Sequence, residues 1–290
     1  MYFVGIDAGG TKTDFLLCDE NENQIKRVIL GAGNPNDIGI DACLELLSAG
    51  LDELCADVTP DAVFAGISGG GYGENAARIR ELLTSRFPSS AVDNGTDAIN
   101  LLYSSKSDGN VGALICGTGS VIFVRRGGEL VRFGGWGHLF DNGGSAYDFG
   151  KEAIARLLLC EETDGEALKS PLCSLVLERL GGSAHDSLNS IYAKGKTYIA
   201  SFAPLVFEAA SRGDEAARKI IDMNVDVVAG RLNFVRSALG ELDEVVCAGG
   251  LFNSPLYFEL LSRKSELKLS LLTLPPVVGA CRRAMKIENK

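Results

Sequence analysis

The chain has only two histidines, His138 and His185, which excludes a histidine-rich metal centre and leaves oxygen-held hard cations as the metals to consider. Positive charge is scarce as well: 28 lysines and arginines face 38 aspartates and glutamates, a formal net charge of −10. No basic run offers a face for nucleic acid. No apolar stretch approaches the ~20 residues that span a bilayer. The opening MYFVGID lacks a basic flank and is interrupted by Asp7, so no signal peptide is expected. The eight cysteines (18, 43, 55, 116, 160, 173, 247 and 281) show no CxxC spacing and sit mostly in apolar runs. They are expected to be reduced core residues of a cytoplasmic protein, not a disulfide framework or a zinc site.

What is present suits an ordinary globular protein: 46% apolar and 23% charged residues over 290 positions, enough for one large or two medium domains. The chain is organised around Val4-Gly5-Ile6-Asp7-Ala8-Gly9-Gly10-Thr11-Lys12-Thr13-Asp14, followed by the apolar Phe15-Leu16-Leu17-Cys18. Two strands joined by a tight turn are predicted. Gly9 and Gly10 remove Cβ atoms where the backbone bends or lies against a ligand. Successive amides with the Thr11 and Thr13 hydroxyls form a concavity suited to phosphate oxygens. Asp7 beside such a turn makes sense if hydrated Mg²⁺ lies between carboxylate and phosphate. Alone, the stretch is equally a hairpin with a solvated aspartate. It is neither a Walker loop nor a dinucleotide turn, because the GxxxxGK[ST] spacing is missing and a strand follows.

Downstream, Gln24 to Leu30 reads as a strand, and Asn36 or Asp37 as the cap of a helix whose apolar positions run from Ile40 to Leu54. Asn34, held out of the helical region by Pro35, is either a turn residue or an amide for a polar ligand. Ala62 to Ile67 is a buried strand running into Ser68-Gly69-Gly70-Gly71, a loop at the carboxyl edge of a sheet. Glu74 to Phe87 reads as a helix and Ser90 to Asp93 as a strand. Thr96 or Asp97 then reads as a helix cap, or less readily as a general base. At Asn110 to Phe133 the opening pattern of strand, small-residue turn (Gly117-Thr118-Gly119-Ser120), strand and strand recurs, about 110 residues on. Such a repeat predicts two similarly built domains. Further on, Ile191 to Ala210 and Asp214 to Leu239 read as long amphipathic helices, Val245 to Ala248 as a buried strand, and Ala280 to Ile287 as a last helix.

The ordered set Gly5–Thr13, Gly66–Gly70, Thr96–Ala98, Gly117–Ser120, Gly134–His138 with Gly144–Tyr147, and Cys247–Phe252 resembles the actin-like ATPase superfamily. It is most similar to the BadF/BadG/BcrA/BcrD ATPase family, in particular its N-acetylglucosamine kinase branch. The resemblance implies an α/β protein of two actin-like (ribonuclease H-like) domains, each a mixed sheet flanked by helices, with an interdomain cleft. The domains would be 1–109, completed by about 278–290, and 110–277. It implies ATP and Mg²⁺ as cofactors, with Gly9, Gly10, Thr11 and Lys12 and then Gly117, Thr118 and Gly119 on the phosphates. Asp7 would hold the metal shell, and Gly249, Gly250 and Asn253 the adenosine. Asp97 would be the catalytic base, and Asn34, Ser68, Asp97, Ser120, Gly135 and Trp136 would touch the sugar. His138 is expected to be structural. Where that branch carries Gly-Asp-Glu-Gly-Ser, this chain has Asp141-Asn142-Gly143-Gly144-Ser145, so Asn142 takes the aspartate's place and Asp141 is a candidate substitute one position away. The expected activity is ATP-dependent phosphorylation of an amino or N-acetyl hexose at the 6-hydroxyl, by a protein with no nucleic-acid or membrane partner and, by analogy with relatives, a homodimer. A redox-activating ATPase and a non-catalytic sugar sensor are the alternatives.

Overall fold

The computed structural model describes residues 1–105, 107–141, 143–163 and 167–287, and the chain divides into two compact units, Met1–Asp108 with Leu272–Lys290 and Gly109–Leu271. The first begins with β1 (Tyr2–Ala8), β2 (Thr13–Asp19) and β3 (Gln24–Leu30). It continues through α1 (Pro35–Ile38), α2 (Ile40–Leu54), β4 (Ala62–Ile67), α3 (Gly73–Arg86), β5 (Ala91–Gly95) and α4 (Ala98–Leu102). Its sheet runs β3-β2-β1-β4-β5, antiparallel from β3 to β1 and parallel from β1 to β5.

The second unit carries β6 (Val111–Cys116), β7 (Ser120–Arg126), β8 (Glu129–Gly134), α5 (Ala146–Thr163), α6 (Pro171–Leu180), α7 (Ala184–Ala200) and α8 (Ala203–Ser211). After these come α9 (Glu215–Leu239), β9 (Glu244–Ala248), α10 (Pro255–Lys264) and β10 (Leu269–Leu271); α11 (Pro276–Ala284) then belongs to the first unit. The second sheet runs β10-β9-β6-β7-β8, with the same alternation of parallel and antiparallel pairs. The internal repeat therefore covers all five strands of each sheet, two more than the sequence pattern showed.

Alternation along β1 and β2 explains why the first sheet needs helices on both faces. Val4, Ile6, Phe15 and Leu17 point into one apolar cluster with α2 and α3; Phe3, Leu16 and Cys18 point into another with Val277, Ala280 and Cys281 of α11. Burying a ring such as that of Phe15, wholly enclosed here, contributes about 2–3 kcal/mol. Gly5 belongs to the second face, and a Cβ there would stand 2.4 Å from the Cys281 amide nitrogen, so the glycine lets α11 lie against the strand. The second unit buries one larger cluster between its sheet and α5–α10. All eight cysteines are free and seven are buried. Among the described residues no helix is long and apolar enough to cross a membrane.

Several local expectations need correction. Neither Asn36 nor Asp37 caps the helix over Ile40–Leu54, whose N-cap residue is Gly39 with no side-chain cap; both lie in the one-turn α1, which Asn34 caps by accepting from the Asn36 amide and Pro35 opens, since proline suits the first helical position. Gly39, at φ 84°, then separates α1 from α2. The long helix read from Ile191 to Ala210 is two helices, because Pro204 starts α8 and Gly195 (φ 70°) kinks α7. The last helix, read as Ala280 to Ile287, runs instead from Pro276 to Ala284. Strand β10, three residues long, had too little pattern to read.

Candidate functional site

In the first unit the residues singled out from the sequence gather at the carboxyl ends of β1, β4 and β5. Asp7 sits near the end of β1, opposite Asp14 on β2 and Gly66 on β4. The turn that follows is closed by the Gly9 amide donating to the Lys12 carbonyl at 3.0 Å, which leaves Gly10, Thr11 and Lys12 exposed. The Lys12 ammonium stands 3.8 Å from the Asp14 carboxylate, itself held by both nitrogens of an Arg27 fork at 2.8 and 2.6 Å. Ser68 is tied to the same edge by its amide, which donates to the Ala8 carbonyl at 2.9 Å. Gly69, at φ 74°, brings that loop so close to Asn34 that a Cβ would meet its Oδ1 at 2.4 Å. Asn34, Ser68, the first turn and Asp7 are thus neighbours.

Asp97 joins them. It is the N-cap residue of α4, as one of the two sequence readings had it, but it has helical φ/ψ and its side chain makes no capping hydrogen bond of the usual kind. Instead it accepts from the Thr96 hydroxyl at 2.9 Å. Burial pushes its carboxyl above the ordinary range, opposed by hydrogen bonds from Thr96, the Ala98 amide and the Ser68 hydroxyl. Asp7 is pushed up to about 6, first by burial and then by the nearby Asp97 and Asp14 charges, against a hydrogen bond from Asn100. A carboxyl desolvated among other carboxylates and poised near neutrality is a group a cation would ionise, so Asp7 fits a hydrated Mg²⁺. Among the described residues no cluster of three or more His, Cys, Asp or Glu side chains forms a protein cage for a metal.

In the second unit the Gly117-Thr118-Gly119 turn joins β6 to β7, closed by the Gly117 amide donating to the Gly119 carbonyl at 2.9 Å. The first residue of α5 is fastened to it, the Ala146 amide donating to the Gly117 carbonyl at 2.8 Å. Ser120 is buried, and its hydroxyl accepts from Arg231 Nη1 of α9 at 3.3 Å. Beyond β8, Gly135 (φ 75°) and Gly137 (φ 92°) flank Trp136, a residue 63% exposed. His138 sets its ring edge-on to Tyr147 at 4.9 Å. Asn142 lies outside the described residues. Asp141 is committed within its own loop: it accepts from the Gly137 amide at 3.2 Å and stands 3.8 Å from the Arg231 guanidinium.

Gly249 and Gly250 follow β9 and open a one-turn 3-10 helix, Gly250–Asn253. Gly249, at φ 108°, lies against the Cys116 backbone, and Gly117 is near the Gly250 amide, so this turn and the Gly/Thr turn are adjacent. Beside them opens a mainly apolar cavity of about 440 Å³, walled by Ala200, Ser201, Pro204 and Phe207 and by Gly250 and Asn253. That volume and lining suit a flat heterocycle and ribose.

A family model described as the BadF/BadG/BcrA/BcrD ATPase family matches residues 4–280. The chain belongs to this family. Among its curated relatives is N-acetyl-D-glucosamine kinase of Dictyostelium discoideum, 28% identical over 98% of this chain and 97% of that one. N-acetylmuramic acid/N-acetylglucosamine kinase of Clostridium acetobutylicum is 30% identical over 76% of this chain and 74% of its own length. A solved structure from Porphyromonas gingivalis, provisionally named an N-acetylglucosamine kinase, shares the fold with a TM-score of 0.73 at 22% identity, covering 98% and 99% of the two chains.

Some residues that shape this site had no local signal in the sequence. Asn100 sits in the apolar stretch of α4, and its Nδ2 donates to Asp7 at 2.7 Å. The glycine inside β4 was the available clue, because a Cβ on Gly66 would meet the Asn100 amide at 2.1 Å, and a glycine inside a strand marks a close approach. The cavity wall from α7 and α8 depends on a break between two helices that the apolar pattern runs across.

Proposed function

We propose that the protein transfers the γ-phosphoryl group of ATP to an amino or N-acetyl hexose of the N-acetylglucosamine or glucosamine type, at its 6-hydroxyl. The observation that carries this reading is Asp97, a carboxylate with a raised proton affinity that makes no side-chain capping hydrogen bond, held by Thr96 and Ser68 and close enough to Asp7 for their charges to act on each other. The activities named for the curated relatives support it.

In this reading Asp97 accepts the proton of the attacking hydroxyl at its carboxylate, and Thr96 and Ser68 hold that carboxylate in place. Asn34 and Ser68, then Ser120, Gly135, Trp136 and Asn142, orient the sugar. Gly9, Gly10, Thr11 and Lys12, with Gly117, Thr118 and Gly119, take the phosphates through amides, hydroxyls and one ammonium. Gly249, Gly250 and Asn253 take the adenosine in the apolar cavity. Asp7 would hold hydrated Mg²⁺, which when bound offsets phosphate charge. Phosphoryl transfer needs little else, since it rests on positioning and charge stabilisation.

The test is release of ADP in the presence of Mg²⁺ and each of N-acetylglucosamine, glucosamine, N-acetylmuramate and glucose, followed by phosphorus–proton coupling in the product. Turnover that depends on an amino or N-acetyl sugar, with coupling to the C6 protons, is expected. ATP consumption indifferent to every sugar would overturn the assignment, and coupling at another carbon would move the acceptor position.

A further inference from the structure

Arg132, near the end of β8, is bound to the loop that follows in a way no ion pair explains. Its Nε donates to the Gly134 carbonyl at 2.9 Å, and its Nη2 donates to the Gly135 carbonyl. The guanidinium carbon lies 4.6 Å from the centre of the Trp136 ring and 6.0 Å from that of Phe123. Among the described residues Arg132 has no carboxylate partner. One cation therefore grips two successive carbonyls and lies over the ring of the only tryptophan, a residue that stays 63% exposed. The sequence around it permits this: Gly134 and Gly135 hold φ of 72° and 75°. A Cβ on Gly135 would stand 2.9 Å from Arg132 Nη2, and one on Gly134 would stand 2.8 Å from Arg231 Nη1. Side chains at this corner would push both arginines away.

We propose that Arg132 is a positioning residue that fixes Trp136 as a platform, one face on the guanidinium and the other presented to the apolar C–H face or acetamido methyl of the sugar; this rests on the sugar-kinase reading above. An exposed indole on glycine-flanked backbone would otherwise swing, and a ligand that had to still it would bind more weakly. The planar fork supplies two directed hydrogen bonds and a stacked cation together, which a lysine cannot.

Trp136 emission reports on this loop alone, so the clasp is measured apart from catalysis. In Arg132→Ala, acrylamide quenching of that emission should rise about twofold as the second ring face is uncovered, with faster local anisotropy decay. KM for N-acetylglucosamine should rise about three- to tenfold while kcat and KM for ATP change less than about twofold. Arg132→Lys should recover part of the sugar KM, and in a Trp136→Ala background Arg132→Ala should add no further rise. Unchanged quenching and anisotropy in Arg132→Ala would overturn the clasp. A fall in kcat with sugar KM unaltered, or a full additional rise in the Trp136→Ala background, would overturn the positioning role. If the wild-type protein consumes ATP without regard to sugar, the kinase reading fails and the platform role with it, while the fluorescence result still decides the clasp.

Discussion

Asn100 Nδ2 donates to the Asp7 carboxylate at 2.7 Å, linking a buried amide on α4 to the strand end that feeds the first Gly/Thr turn. The same nitrogen lies 3.4 and 3.3 Å from the Ile6 and Gly66 carbonyls, while the buried amide oxygen has no hydrogen-bond partner among the described residues. The orientation is thus set by acceptors crowding the nitrogen.

Asn100→Leu tests that use. The amide is the hydrogen-bond donor that opposes the upward push on Asp7, so its loss should carry the Asp7 carboxyl further above its present value of about 6. If ionised Asp7 is needed for turnover, the acid limb of the kcat/KM profile should move to higher pH. A limb that stays in place would show that Asp7 ionisation does not control the rate.

Asp7→Asn should alter the pH dependence of stability. The folded-state value of about 6 exceeds the ordinary 3.8, so the folded protein keeps this proton where the unfolded chain has lost it. The contribution of this group is full below about pH 3.8 and is lost as pH rises through about 6. The variant, which has no charge to desolvate, should be more stable than the parent above pH 7 by about 2–3 kcal/mol, with the gap closing towards pH 4. Urea unfolding at several pH values measures it. A gap that does not change with pH would mean that Asp7 is not desolvated as described.

Asp97→Asn should lower sugar-dependent turnover by about 10²–10⁴ while nucleotide binding stays within about twofold, since the amide keeps the shape of the side chain and loses only its capacity to take a proton. Calorimetric titration with a non-hydrolysable ATP analogue, alongside the rate, separates the two. Full activity would remove Asp97 from the role of base.

Much of this was legible because the informative residues lie in continuous apolar runs ended by glycines. Val4–Ala8, Ala62–Ile67 and Val111–Cys116 announce buried parallel-type strands, and the turn residues after them mark the sheet edge where ligands bind. What escaped depends on distance in the chain. Asn100 acts on Asp7, 93 positions away, through a glycine on a third element, and nothing in its own neighbourhood distinguishes it from a helix residue. Arg132 and Arg231 look like surface arginines until the glycines at 134 and 135 are seen to admit them. Asp141, a candidate sugar acceptor by spacing, is engaged by the Gly137 amide and Arg231, a fact of loop geometry and not of residue type.

The adjacent glycines 249 and 250 should answer differently to substitution. Gly249 has φ 108°, and a Cβ there would lie 2.4 Å from the Cys116 carbonyl oxygen, so Gly249→Ala must shift β6 or β9 and should cost about 2–4 kcal/mol of stability. Gly250 has nothing within 4 Å of its Cβ position and lines the 440 Å³ cavity. Gly250→Val should therefore fold with nearly the parent's stability and occupy space the adenosine would use. KM for ATP should rise about tenfold or more with the sugar KM unchanged, because the added isopropyl group would stand in the space the adenosine uses. Thermal melts and initial rates on both variants decide the matter. A Gly250→Val enzyme with unaltered ATP affinity would show that the nucleotide does not lie in this cavity.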